Sequence, residues 1–117
     1  MKINGKVWGN TANIFCQNNV QIDRLYIKSG GRSSTHLHKH KHNAFFVESG
    51  EIEIRVWKND YDLIDKTTLR PQDYTIVKPN EYHEFFAIED SVIYEIYWVE
   101  LPLEDIFRKN VGGIGND

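Results

Sequence analysis

The sequence has one cysteine, Cys16, so no internal disulfide can form, and a single thiol agrees with a reducing compartment. Cys16 sits in a polar segment with nothing nearby to activate it, and it reads as inert. Three prolines and eight glycines are too few for a fibrous or disordered chain. No stretch approaches the ~20 apolar residues of a membrane-spanning helix, and no long apolar run follows Met1-Lys2-Ile3-Asn4-Gly5-Lys6. There is no basic excess either. Fourteen Lys and Arg stand against 17 Asp and Glu, for a net charge of −3, and they are scattered, which argues against a nucleic-acid surface. A Ser-His-Asp order, a Gly-rich phosphate loop and a Cys pair are all missing. The expectation is a soluble, cytoplasmic protein with no nucleic-acid or membrane partner. A chain of 117 residues makes one domain and buries about two-thirds of its surface without staples.

What is present points to β structure. Residues 1–19 are polar and loop-like, an N-terminal arm in which Val7-Trp8-Gly9 stands out, Trp8 as a cover for one end of the core. Val20 to Lys28 is rich in β-branched and aromatic residues and reads as a strand, broken by Ser29-Gly30-Gly31-Arg32-Ser33. Another strand is expected through Phe45–Val47. After Ser49-Gly50 comes a clean alternation, with Ile52, Ile54 and Val56 on one face and Glu51, Glu53 and Arg55 on the other, as in a half-buried antiparallel strand. Residues 61–69 form a short strand or loop, and further strands run over Tyr74–Val77, Phe85–Ile88 and Val92–Val99. The barrel occupies residues 20–100, and a tail over 101–117 carries a helical turn at Leu103–Arg108. Short strands with frequent turns predict an all-β sandwich or small barrel.

Four of the five histidines, His36, His38, His40 and His42, fall on alternate positions and would share one face of a regular strand. Neutral imidazole is the commonest protein ligand for transition metals, so such a face reads first as a metal site. Asn43, Phe45 and Val47 have the opposite parity. For Asn43 to point inward with His36 and His38, the chain must change phase near residues 40–43 by a bulge or a turn. On Val92–Val99 the faces are Val92, Tyr94, Ile96, Trp98 and Ile93, Glu95, Tyr97, Val99. If the second is interior, Glu95 is a buried carboxyl and a candidate general acid or base. Phe45, Phe85 and Trp57 read as core or dimer interface.

Gly30, His36-x-His38, Asn43 and Gly50, at these spacings, resemble the first motif of the cupin superfamily, with Asn43 where that motif has a glutamate. Pro79-Asn80-Glu81-Tyr82-His83 is similar to the end of the second motif, with Asn80 or Glu81 where a glycine is usual. Further landmarks, Val7-Trp8-Gly9, Phe45–Gly50 and Glu104–Arg108, resemble the cupin domain of type II mannose-6-phosphate isomerases, often fused to GDP-mannose pyrophosphorylases. The resemblance implies a cupin-type double-stranded β-helix, an RmlC-like jelly-roll barrel. It also implies one divalent metal ion (zinc, iron, manganese or nickel) on His36, His38 and His83.

Asn43 then stands as a weak ligand or as a hydrogen-bonding neighbour of the site, because an amide brings no charge to offset the metal. His40 and His42 are rim residues, or one of them supplies the fourth ligand. The resemblance further implies a metal-dependent isomerase acting on a sugar phosphate or similar small polar metabolite. The alternatives are a non-catalytic cupin that binds a small ligand or carbohydrate, and a three-histidine Fe(II) dioxygenase. A homodimer is a further expectation.

Overall fold

The computed structural model describes residues 2–58, 63–100 and 108–115. Those residues are all β, with nine strands in two antiparallel sheets. The strands are β1 (Ile3–Lys6), β2 (Gly9–Gln17), β3 (Val20–Ile27), β4 (His42–Ser49), β5 (Ile52–Trp57), β6 (Ile64–Leu69), β7 (Tyr74–Val77), β8 (Tyr82–Ala87) and β9 (Ser91–Trp98). Six of them form one sheet in the order β1-β2-β3-β9-β4-β7, and three form the other in the order β6-β5-β8. This is the jelly-roll architecture expected of the resemblance. No helix among the described residues is long and apolar enough to cross a membrane. The helical turn expected at Leu103–Arg108 lies outside the described residues, apart from Arg108 itself.

Alternating side chains build the core. On β5, Ile52, Ile54 and Val56 are buried while Glu53 and Arg55 are half-buried on the outer face. Phe45, Val47 and Ile93 come inward from the larger sheet to meet Phe85 and Ala87 from the smaller one. Burying a side chain of Phe45's size contributes about 2–3 kcal/mol. Gly50 makes the β4–β5 turn at φ +91, and a Cβ there would stand 2.2 Å from Ser91 Oγ.

The N-terminal residues differ from the expected polar arm. β1 and β2 form a hairpin that extends the larger sheet through β2–β3 pairing, so Gly9–Gln17 is a nine-residue strand. Their polar sequence follows from their place at the sheet edge, where most side chains meet water. Trp8, at the turn between them, packs on the core with its ring edge-on to Phe85 at 5.1 Å. The histidine stretch is not a continuous strand either. His36 makes an isolated bridge to His83, the chain bends at Lys39-His40, and β4 begins at His42.

Candidate metal centre

Backbone pairing brings the two histidine segments together. His36 N–H donates to the His83 carbonyl at 3.1 Å, and His83 N–H donates to the His36 carbonyl at 2.9 Å. The turn before β8 fixes the third residue, because Asn80 N–H donates to the His38 carbonyl at 2.7 Å. Asn80 has φ 70, the left-handed conformation that glycine adopts freely and asparagine tolerates. Position 80 therefore does the work of the usual glycine.

Three imidazoles converge as a result. The ring centroids of His36 and His83 lie 4.7 Å apart, those of His36 and His38 5.1 Å, and those of His38 and His83 5.5 Å. One ring nitrogen from each lies within 4.8 Å of the others. Two of the rings are oriented by carbonyls behind them. His36 Nδ1 donates to the Ser34 carbonyl at 2.9 Å, and His83 Nδ1 donates to the Glu81 carbonyl at 2.9 Å. A proton on Nδ1 turns Nε2 toward the cluster as the atom with a lone pair to offer, the arrangement that a metal-binding histidine uses. His38 Nε2 is buried with no hydrogen-bond partner, an orphan that an ion bound there would satisfy.

Two of the rings, His38 and His83, are also held from protonation. Burial, reinforced by the neighbouring His36, His83 and Lys41, pushes His38 down to about 4. Burial likewise lowers His83, against the pull of the Glu81 carbonyl. This donor set fits a divalent ion.

Asn43 lies at the floor of the cluster, fully buried, with Oδ1 3.3 Å from His83 Nε2 and Nδ2 donating to the Ala44 carbonyl at 3.2 Å. It faces inward because the bend at Lys39-His40 changes the phase of the chain before β4. The other two histidines lie apart from the cluster. His40 is exposed on the bend. His42 stacks its ring on Trp98, centroids 5.2 Å apart and 16° from parallel, with Nε2 3.6 Å from the Glu100 carboxylate. The parity that turns Asn43 inward turns His42 outward. Among the described residues, no fourth histidine completes the set.

The inward face of β9 carries Ile93 and Glu95, both buried. Burial pushes the Glu95 carboxyl up to about 7, and the charge of Asp23 adds to the rise. Hydrogen bonds from the Tyr97 hydroxyl and the Asn43 amide oppose it. Tyr97 is itself raised, by burial first and by Glu95 next. Its ring lies edge-on to His38 at 5.2 Å. Beside the histidines opens a cavity of about 260 Å³, lined by Lys6, Trp8, Asp23, His36, Glu95 and Tyr97 among others. That is below the range for drug-sized ligands and suits a small polar metabolite. Sequence reasoning missed Lys6 and Thr11, which reach the cavity because the N-terminal hairpin is a strand pair, and Asp23, which reaches it from β3, where it stands opposite Glu95 of β9. No local signal pointed to them.

The sequence model of the family described as "Cupin domain" matches residues 24–100. No curated protein matches the chain. Among solved structures, KdgF from Halomonas sp. is similar with a TM-score of 0.74 and 14% identity, over 86% of this chain and 88% of that one. The cupin domain of Cnp3 from Schizosaccharomyces pombe has a TM-score of 0.71 and 16% identity, covering 86% and 69% of the two chains. An RmlC-like cupin from Shewanella frigidimarina has a TM-score of 0.68 and 16% identity, covering 85% and 84%. At such identities the likeness is one of fold. The resemblance to mannose-6-phosphate isomerases finds no counterpart among these neighbours.

Proposed function

The chain belongs to the cupin family, and on that premise we propose that it is a metal-dependent isomerase of a small sugar phosphate or similar polar metabolite. His36, His38 and His83 hold one divalent ion in this reading, and the substrate lies in the adjoining cavity. One observation supports it above the others: a buried carboxyl pushed up to about 7, Glu95, lines the same cavity as His36. A group that titrates near neutral pH can take and return a proton, which an aldose–ketose type rearrangement requires. When bound, the ion supplies Lewis-acid polarisation of a substrate oxygen. Glu95 then moves the proton, and the Tyr97 hydroxyl, which donates to Glu95 Oε2, fixes the carboxyl's orientation. Trp8 and Phe85 give the cavity an apolar wall, and Lys6 offers an ammonium to an anionic group on the substrate.

A second reading, a non-catalytic cupin that binds a small ligand, is favoured by Asn43, which leaves the histidine set without a carboxylate of its own. The test is proton exchange. Metal-loaded protein is incubated with pentose and hexose phosphates in deuterated water, and deuterium incorporation beside the carbonyl is followed by NMR. The isomerase reading expects exchange and product, both abolished by chelation and by Glu95→Gln. Turnover undiminished after chelation overturns the role of the metal. Saturable binding without exchange supports the binder instead, and oxygen consumption with Fe(II) supports the dioxygenase.

A further inference from the structure

The amide of Asn43 has two unlike ends, and its surroundings sort them. Nδ2 donates to the Ala44 carbonyl at 3.2 Å and lies on the side of the Glu95 carboxyl, its diagonal neighbour across the β4–β9 pair. Oδ1 faces His83 Nε2 at 3.3 Å. Because His83 gives its Nδ1 proton to the Glu81 carbonyl, the meeting of Nε2 and Oδ1 sets one lone pair against another. A cation shared by the two atoms resolves that opposition. Turning the amide over would set Oδ1 against both the Ala44 carbonyl and the Glu95 carboxyl, which is worse. Glu95 therefore helps decide which end of Asn43 meets the histidines.

The sheet register explains how a residue of β9 reaches a residue of β4. β4 pairs with β9 so that Asn43 is opposite Tyr97 and Phe45 is opposite Glu95. These positions share the interior wall, and Glu95 is the diagonal neighbour of Asn43. The burial of Glu95 also calls for an explanation. Two acids are buried among the described residues, Glu84 and Glu95. Glu84 pairs with Arg55 at 3.1 Å and accepts from Thr35 at 2.8 Å. Glu95 has the Tyr97 hydroxyl and the Asn43 amide but no ion-pair partner among the described residues. A buried carboxylate without a cation is costly, and an ion on the histidines would supply one.

We propose that Glu95, acting through Asn43, is the carboxylate of the metal centre. It holds the amide with Oδ1 toward the ion, making Asn43 the fourth ligand, and provides from the neighbouring strand the negative charge that position 43 lacks. Glu95 is in this respect a positioning residue. The proposal rests on the three-histidine metal reading and adds a claim about affinity that the reading does not need.

Cobalt(II) titrations separate the two. Protein purified without a metal column is titrated by calorimetry and by visible absorption, as wild type, Glu95→Gln, Asn43→Glu, and the exchanged pair Asn43→Glu with Glu95→Gln. Glu95→Gln is expected to weaken cobalt binding by about tenfold to a hundredfold. The exchanged pair should recover most of the loss, since one carboxylate is again in the site. Unchanged affinity in Glu95→Gln, or a loss that the exchange does not recover, overturns the proposal and leaves the metal site standing. A wild type that binds no cobalt overturns both. Should Glu95→Gln fail to fold, Asn43→Leu cuts the same link and is expected to lose a similar factor; unchanged affinity there also overturns the proposal.

Discussion

Replacing Glu95 by glutamine in metal-stripped protein should change how stability depends on pH, by an amount that follows from the carboxyl's surroundings. The group moves from 4.5 to about 7 on folding, chiefly because it is buried. Between those values the folded chain holds a proton that the unfolded chain has released, so this contribution to stability is full below about pH 4.5 and is lost as pH rises through about 7. A change of that size corresponds to about 3 kcal/mol. His38 works in the opposite direction. Its ring is held at about 4 against an ordinary 6.5, so its contribution is full above 6.5 and is lost as pH falls toward 4.

The two trends overlap, and the wild-type curve alone would hide both. Subtracting the wild-type curve from that of Glu95→Gln cancels the His38 contribution, which is common to the two proteins. Urea unfolding of both, followed by tryptophan fluorescence across this range, should show the variant gaining on the wild type by about 3 kcal/mol as pH rises. A difference that stays flat to within about 0.5 kcal/mol would mean that Glu95 reaches water, and the general-base role would lose its basis.

Other outcomes are equally specific. His83→Ala should weaken cobalt(II) binding by about a hundredfold, while His40→Ala and His42→Ala should stay within about twofold, because one is exposed and the other stacks on Trp98; calorimetry reads all three. Gly50→Ala should cost at least about 2 kcal/mol in urea unfolding, since a Cβ at φ +91 would stand 2.2 Å from Ser91 Oγ and 2.4 Å from the Asp90 carbonyl. Lys6→Ala should weaken binding of a sugar phosphate by about tenfold and leave the matching neutral sugar unaffected; equal losses for both would remove Lys6 from the anion site.

The parts of the site that lie on spaced motifs were legible in the sequence. His36 and His38 stand at fixed distances from Gly30 and Gly50, and the turn at Pro79-Asn80 precedes His83. The bridge between His36 and His83 confirms that these segments meet. Parity required a change of phase near residues 40–43 for Asn43 to point inward as the resemblance implies; the structure bends at Lys39-His40 and buries Asn43. Alternation divided β9 into two faces without deciding which is interior, and the structure buries the one that carries Ile93 and Glu95.

The N-terminal hairpin was not legible. Asn4, Lys6, Asn10, Thr11 and Asn13 show no hydrophobic alternation, because an edge pair needs little apolar surface and is held by its backbone ladder to β3. Lys6 and Thr11 were missed as cavity residues for the same reason, and Asp23 because its strand was legible but its place opposite Glu95 across the β3–β9 pair was not. The sorting of the Asn43 amide could not be foreseen either, since it depends on a diagonal contact between strands whose register the sequence does not state.

The metal content of the three-histidine centre tests the account most directly. Protein prepared without an affinity metal column is loaded with cobalt(II), and X-ray absorption spectroscopy at the cobalt edge then counts the nitrogen ligands, on the wild type and on His36→Ala and His83→Ala. The account predicts one ion per chain with three imidazole nitrogens, falling to two in either variant. A site that keeps its imidazole count in both variants, or that loses its ion only when His40 and His42 are replaced, would contradict it.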